Sequence, residues 1–128
     1  MNPLASALTE SMTTTTSELA VLADGGWVRH PWAEVYARAE NVADWLGNEQ
    51  AAALGLVGEP TVEFVAAVIG AFLADAAVSI LPGPVRGADT EHWALSTLNR
   101  FAGIGVRNVV SQGVHLERLI SVESPVAV

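Results

Sequence analysis

The stretch from Ala52 to Pro84, "AALGLVGEPTVEFVAAVIGAFLADAAVSILPGP", constrains the fold more than any other part of the chain. An apolar run (52–58) ends at a glycine, and Pro60 then opens a helix that continues to Ala76. A second apolar run (77–82) is cut off by Pro-Gly-Pro. The helix is apolar almost all round, so it has to be covered on most sides. Two strands joined by such a helix form a right-handed crossover and lie parallel. The alternation continues with a helix over 89–103, with Asp89 or Thr90 as N-cap, a strand over 106–112 and a short helix over 114–119. The expected fold is α/β, a small and mostly parallel sheet with helices on both faces. Residues 77–82 are expected to form a buried, central strand.

Upstream the pattern differs. Residues 3–12 suit a short helix with Leu4, Leu8 and Met12 on one side, and "TTTTS" (13–17) reads as a polar spacer. "ELAVLAD" and "WVRH" around Gly25-Gly26 read as a β-hairpin. Pro31 suits the first turn of the next helix. In 31–46, Trp32, Val35, Tyr36, Ala39, Val42, Ala43 and Leu46 share a face, with Glu34, Arg38, Glu40 and Asp44 turned away. Gly47 and Asn48 are expected to stop it. The organisation expected is an N-terminal helix and linker (1–17), followed by a partial α/β subdomain (18–128).

Composition then removes whole classes of function. Of the 128 residues 51% are hydrophobic, enough to collapse rather than stay disordered. The formal charge is −8 and all six basic residues are arginine. An acidic chain with scattered arginines repels phosphate backbones, so nucleic acid is not an expected partner. The lack of lysine excludes any step that needs an ammonium clamp or a Schiff base on this chain. The lack of cysteine excludes disulfides, thiolate metal sites and a Cys nucleophile. The longest apolar run, 64–74, falls short of the roughly 20 residues that span a bilayer. No transmembrane segment is expected, and without a basic leader at the N-terminus the reading is cytoplasmic.

Few motifs carry chemistry. The turn "VGEPTVEF" (57–64) has the outline of a phosphate loop, yet Glu59 and Pro60 stand where amide donors would face an anion. "GIGVRN" (103–108) lies at the wrong end of its helix and reads as a C-cap. His30, His92 and His115 are too widely spaced for a metal motif, and the last two read as exposed helix residues. Ser96, Ser111 and Ser121 lie outside G-x-S-x-G. The loop "LPGPVRG" (81–87) leaves the carboxyl end of a strand, where open parallel sheets bind ligands. Pro82, Gly83, Pro84 and Arg86 are the candidate ligand-facing residues, with Arg86 offering a forked cation to phosphate or carboxylate. A rigid turn with a solvated arginine is the favoured reading, since turn chemistry alone explains the prolines and glycines.

Residues 18–115, roughly, resemble the N-terminal part of the adenylate-forming ligases. The matching pieces are "HPWAEVYARAENVADWL", "VGEPTVEFVAAVIGAFLADAAVSILPGP" and "LNRFAGIGVRNVVSQ". The spelling of 55–87 is more specific and is similar to the fatty acyl-AMP ligases of mycobactin siderophore assembly. The resemblance implies that a long-chain fatty acid and ATP give acyl-adenylate and pyrophosphate. The acyl group then passes to the phosphopantetheine thiol of an acyl carrier protein. It also implies ATP and Mg as cofactors of a full-length enzyme, with none expected bound to this chain. The implied partners are the remainder of the ligase chain, the fatty acid and the carrier protein, with the 81–87 loop near the entry of the pantetheine arm.

The family's Ser/Thr/Gly-rich loop ending in Pro-Lys, its Tyr-x-x-Thr-Glu motif, its ribose-binding Asp and its late catalytic Lys have no counterpart here. No catalytic, cofactor-binding or metal residue is therefore assigned. Two readings stay open at this point: an inactive fragment of a ligase, or a stand-alone α/β interaction module that kept the scaffold. The fragment reading carries exposed sheet edges, open to self-association.

Overall fold

The computed structural model describes residues 2–128. Its elements run α1 (Pro3–Thr14), β1 (Glu18–Ala23), β2 (Gly26–Pro31), α2 (Trp32–Asn48), β3 (Ala53–Val57), α3 (Val62–Leu73), β4 (Ala77–Leu81), α4 (Thr90–Gly103), β5 (Val109–Val110) and α5 (Gly113–Ile120). They fall into two units. One comprises the residues up to Gln50 together with Pro60–Ala77; the other comprises Ala51–Glu59 and Val78–Val128.

In the first unit α1 starts behind Asn2, whose side chain accepts the Ala5 N–H at 2.7 Å. It runs two residues into the expected spacer, because the Thr13 and Thr14 hydroxyls donate to the Thr9 and Glu10 carbonyls one turn back. Met12 is buried with Val21, Val35, Val62 and Ala66, whereas Leu4 is exposed. β1 and β2 pair antiparallel from Glu18↔Pro31 to Ala23↔Gly26, so the turn is Asp24-Gly25 and Gly26 already belongs to β2.

Pro31 ends β2 and stands as the N-cap of α2 rather than inside it. The expected inner face of α2 is the observed one: Val35, Ala39 and Leu46 are buried, and Trp32, Tyr36, Val42 and Ala43 are half-buried. The helix takes in Gly47 and ends at Asn48, two residues before Gln50 takes a left-handed conformation, φ 53°.

α3 begins at Val62, not Pro60. Thr61 is the N-cap and its hydroxyl accepts the Phe64 N–H, a role that proline cannot play. Its end is a Schellman motif: Asp75 is left-handed (φ 58°) and the Ala76 N–H reaches the Ala71 carbonyl at 2.9 Å. Glu63 is the one exposed residue of the helix, which matches the near-uniform apolar sequence. α2 and α3 pack so tightly at Gly70 that an added Cβ would lie 2.7 Å from the Ala39 carbonyl oxygen and 2.7 Å from Val42 Cβ. Arg38 bridges the two helices outside this contact, reaching Glu34 at 2.9 Å and Glu63 at 2.7 Å.

The second unit holds a three-stranded parallel sheet in the order β4-β3-β5. β3 pairs with β5 through Gly55↔Val109 and Leu56↔Val110. The central strand is therefore β3, whose residues 54–57 are all buried. β4 corrects the expectation for 77–82: it is an edge strand, half-buried at most, with Ile80 53% exposed. Its apolar spelling is no guide here, because composition does not separate an edge from a centre. β5 is shorter than 106–112, and its outer side is met by the tail, which bridges Asn108 to Ala127 in parallel. Phe101 and Leu98 of α4 and Leu119 of α5 bury against Val57, Val106, Val109 and Val126. Each such side chain contributes about 1.5–3 kcal/mol. Gly55 lets the Phe101 ring rest on the β3 backbone, since a Cβ there would come within 2.8 Å of the ring.

Gly70→Ala separates packing from propensity. Helix propensity alone would stabilise the chain by about 1 kcal/mol. Contact with an immovable carbonyl reverses the sign, and a net loss of about 1–3 kcal/mol is expected in urea unfolding.

Candidate functional site

Glu59 lies two residues past β3, and Gly83 two residues past β4. Both reach the ring of His115: its Nε2 is 3.9 Å from Glu59 Oε1, and a Cβ on Gly83 would meet the ring at 3.0 Å. The two strands therefore deliver their carboxyl ends to the same side, the side on which open parallel sheets take ligands. The Ser111 hydroxyl, just past β5, donates to the Val57 carbonyl at 2.6 Å and ties the third strand end to the same edge.

α5 carries His115 inward over this edge. The expectation of an exposed histidine fails there, since the side chain is 20% exposed and packs against Trp93 of α4, with ring centroids 5.7 Å apart and the planes tilted by 54°. The Trp93 indole N–H in turn donates to the Pro82 carbonyl at 3.2 Å. Two loops and two helices are thus held by one histidine and one tryptophan. Gly83 is where the ring needs the space of a missing side chain.

The 81–87 loop is divided by this arrangement. Pro82 and Gly83 line a hollow of about 290 Å³ between the loop and α4, together with Val85 and Trp93. Pro84 is half-buried and Arg86 exposed, and neither lines the hollow. Arg86 lies within the turn closed by the Ala88 N–H to the Val85 carbonyl at 3.0 Å. The expected cation for a ligand at this loop is therefore displaced from it. Arg100, one face further along α4, lines the hollow instead. His92, read as an exposed helix residue, is exposed and also lines it. The signal that could have found this face is the spacing of His92, Ser96 and Arg100 at every fourth position.

Several solved structures are similar to this chain. A structure from a study of fatty acyl-adenylate ligases of E. coli and L. pneumophila matches 92% of this chain with TM-score 0.77 and 17% identity. The L. pneumophila fatty acyl-adenylate ligase in complex with acyl adenylate and pyrophosphate matches 97% with TM-score 0.70 and 12% identity. An adenylation domain of a keto acid-selecting NRPS module, bound to keto acyl adenylate, matches 97% with TM-score 0.71 and 13% identity. Over this span the chain shares the fold of adenylate-forming ligases. It spans only 22%, 22% and 24% of those three chains. No protein-family model matches the chain.

ATP and Mg are implied by the resemblance, and the turn after β3 does not form a phosphate cradle. Among the described residues no group of three His, Asp or Glu is placed to hold a metal ion. The turn after β3 presents the Glu59 carboxylate, 80% exposed, and then Pro60, which has no N–H to give an anion. Nor has the chain a lysine to reach a phosphate. Among the described residues no helix is long and apolar enough to cross a membrane.

Trp93→Phe keeps an aromatic ring, smaller than the indole, and deletes the bond to Pro82. A loss of about 0.5–1 kcal/mol is expected, with faster amide exchange confined to residues 82–88. Uniform exchange across the chain would mean that the indole N–H does not hold the loop.

Proposed function

We propose that this chain is an N-terminal part of a fatty acyl-AMP ligase. In the complete enzyme a long-chain fatty acid and ATP·Mg would give acyl-adenylate and pyrophosphate, and the acyl group would pass to an acyl carrier protein. The setting proposed is lipid side-chain assembly of a mycobactin-type siderophore, in the cytoplasm. The observation that carries the reading is the match of nearly the whole chain to a quarter or less of adenylate-forming ligases. The spelling of residues 55–87 supports the narrower assignment.

The chain would contribute scaffold rather than chemistry. Its residues do not suit a nucleotide, so the adenylating groups would be supplied by the remainder of the ligase. β4 fits that arrangement, because "AVSIL" has no charge, no proline and an exposed Ile80. Edge strands of independent proteins normally carry such protection. Where no further strand covers it, the same edge would promote self-association.

Two assays test the reading. ATP–pyrophosphate exchange with a long-chain fatty acid, measured on this chain alone, is expected to be absent, and clear exchange would overturn the scaffold role. In a chimera, residues 18–115 replace the matching segment of a fatty acyl-adenylate ligase. Acyl-adenylate formation is expected to survive within about tenfold; a folded chimera with none contradicts the assignment.

A further inference from the structure

The hollow between the 81–88 loop and α4 contains a feature that packing does not account for. Thr97 is 5% exposed and is the buried polar side chain of the described core. It lies on the inner face of α4, among Ala94, Leu98 and Phe101, where an apolar residue would serve. Among the described residues its hydroxyl has no hydrogen-bond partner, and no fully enclosed side-chain polar atom is left unpaired. The hydroxyl therefore opens into the hollow that Thr97 lines. A hydroxyl that opens into a hollow is available to water or to a ligand that displaces it.

The groups around it form an ordered series. Asp89, Trp93, Thr97 and Arg100 follow one another along one face of α4, so Asp89 and Arg100 stand about 16 Å apart. Asp89 is occupied as N-cap, accepting the Glu91 and His92 N–H groups at 3.0 and 3.1 Å. It does not oppose an anion at the far end. There Arg100 is exposed, makes no ion pair among the described residues, and lies one turn from Thr97, with Ser96 beside it. Between the ends the walls are apolar: Pro82, Val85 and the Trp93 ring. A more open hollow adjoins this one and shares His92, Ser96 and Arg100 with it, which leaves the cationic end accessible.

We infer that this hollow is a binding site for a small oxyanion, carboxylate or phosphate ester, carried on a short apolar or aromatic stem. Arg100 pairs with the oxyanion and the Thr97 hydroxyl donates to it, while the stem lies against Trp93, Pro82 and Val85. The site is built within the second unit alone and does not depend on the ligase reading.

The test follows the Trp93 indole and the Thr97 and Arg100 amides by ¹⁵N NMR as benzoate, phenyl phosphate or inorganic phosphate is added to the 128-residue chain. Saturable shifts centred on these groups are expected for benzoate and phenyl phosphate, with Kd on the order of 1 mM. Inorganic phosphate should bind at least about tenfold more weakly, since it has no stem. Arg100→Gln should weaken binding about tenfold, and Arg86→Gln, outside the hollow, should leave it unchanged. Thr97→Val is the informative variant. It should weaken binding while leaving thermal stability unchanged or raised, because the hydroxyl it removes is unpaired. The inference is overturned if no saturable shift appears, if inorganic phosphate binds as well as the aromatic anions, if Arg86→Gln weakens binding as much as Arg100→Gln, or if Thr97→Val destabilises the fold and leaves binding intact.

Discussion

The first unit depends on the approach of α3 to α2 at Gly70. A helix with so little polar surface cannot remain in water, and it is covered only because a glycine lets the two backbones close to van der Waals distance. The remaining features of that unit follow from this contact. Val35 and Ala39 are buried beneath it, α1 adds Met12 to the same cluster, and the Arg38 ion pairs lie on its rim. Those pairs are half-exposed and contribute little by comparison. The second unit repeats the device at Gly55, where Phe101 lies on the central strand.

The strand ends are organised by a different interaction. His115 and Trp93 form a tilted aromatic pair whose polar atoms reach Glu59 and Pro82, so the carboxyl edge of the sheet is closed by side chains rather than left as an open crevice. The space that remains is displaced toward α4. This explains why the loop chosen for its position contributes Pro82 and Gly83 to a hollow while Arg86, the residue chosen for its charge, lies outside it.

Periodicity made most of the fold legible. The inner face of α2, the apolar α3, the Asp89 cap and the strand-helix alternation are local patterns, and each is present as expected. The misses share a cause: they depend on what lies across space. "AVSIL" reads as a buried strand, but nothing in five residues says which strand will be its neighbour. His115 reads as solvated because its partners, Gly83 and Trp93, are far away in sequence. Thr97 carried a signal that could have been used, a polar residue on the buried face of an otherwise regular helix. Proline misled twice in the same way: Pro31 and Pro60 mark the approach to a helix, and at Pro60 the start was set by the hydroxyl of Thr61.

The account describes a scaffold with the fold of adenylate-forming ligases whose own residues do not suit a nucleotide. Calorimetric titration of the 128-residue chain with ATP in the presence of magnesium tests this most directly. The account predicts no binding tighter than the roughly 1 mM expected of a simple phosphate ester at the α4 hollow. Stoichiometric binding of Mg·ATP at least about a hundredfold tighter would contradict it and place nucleotide recognition within these residues.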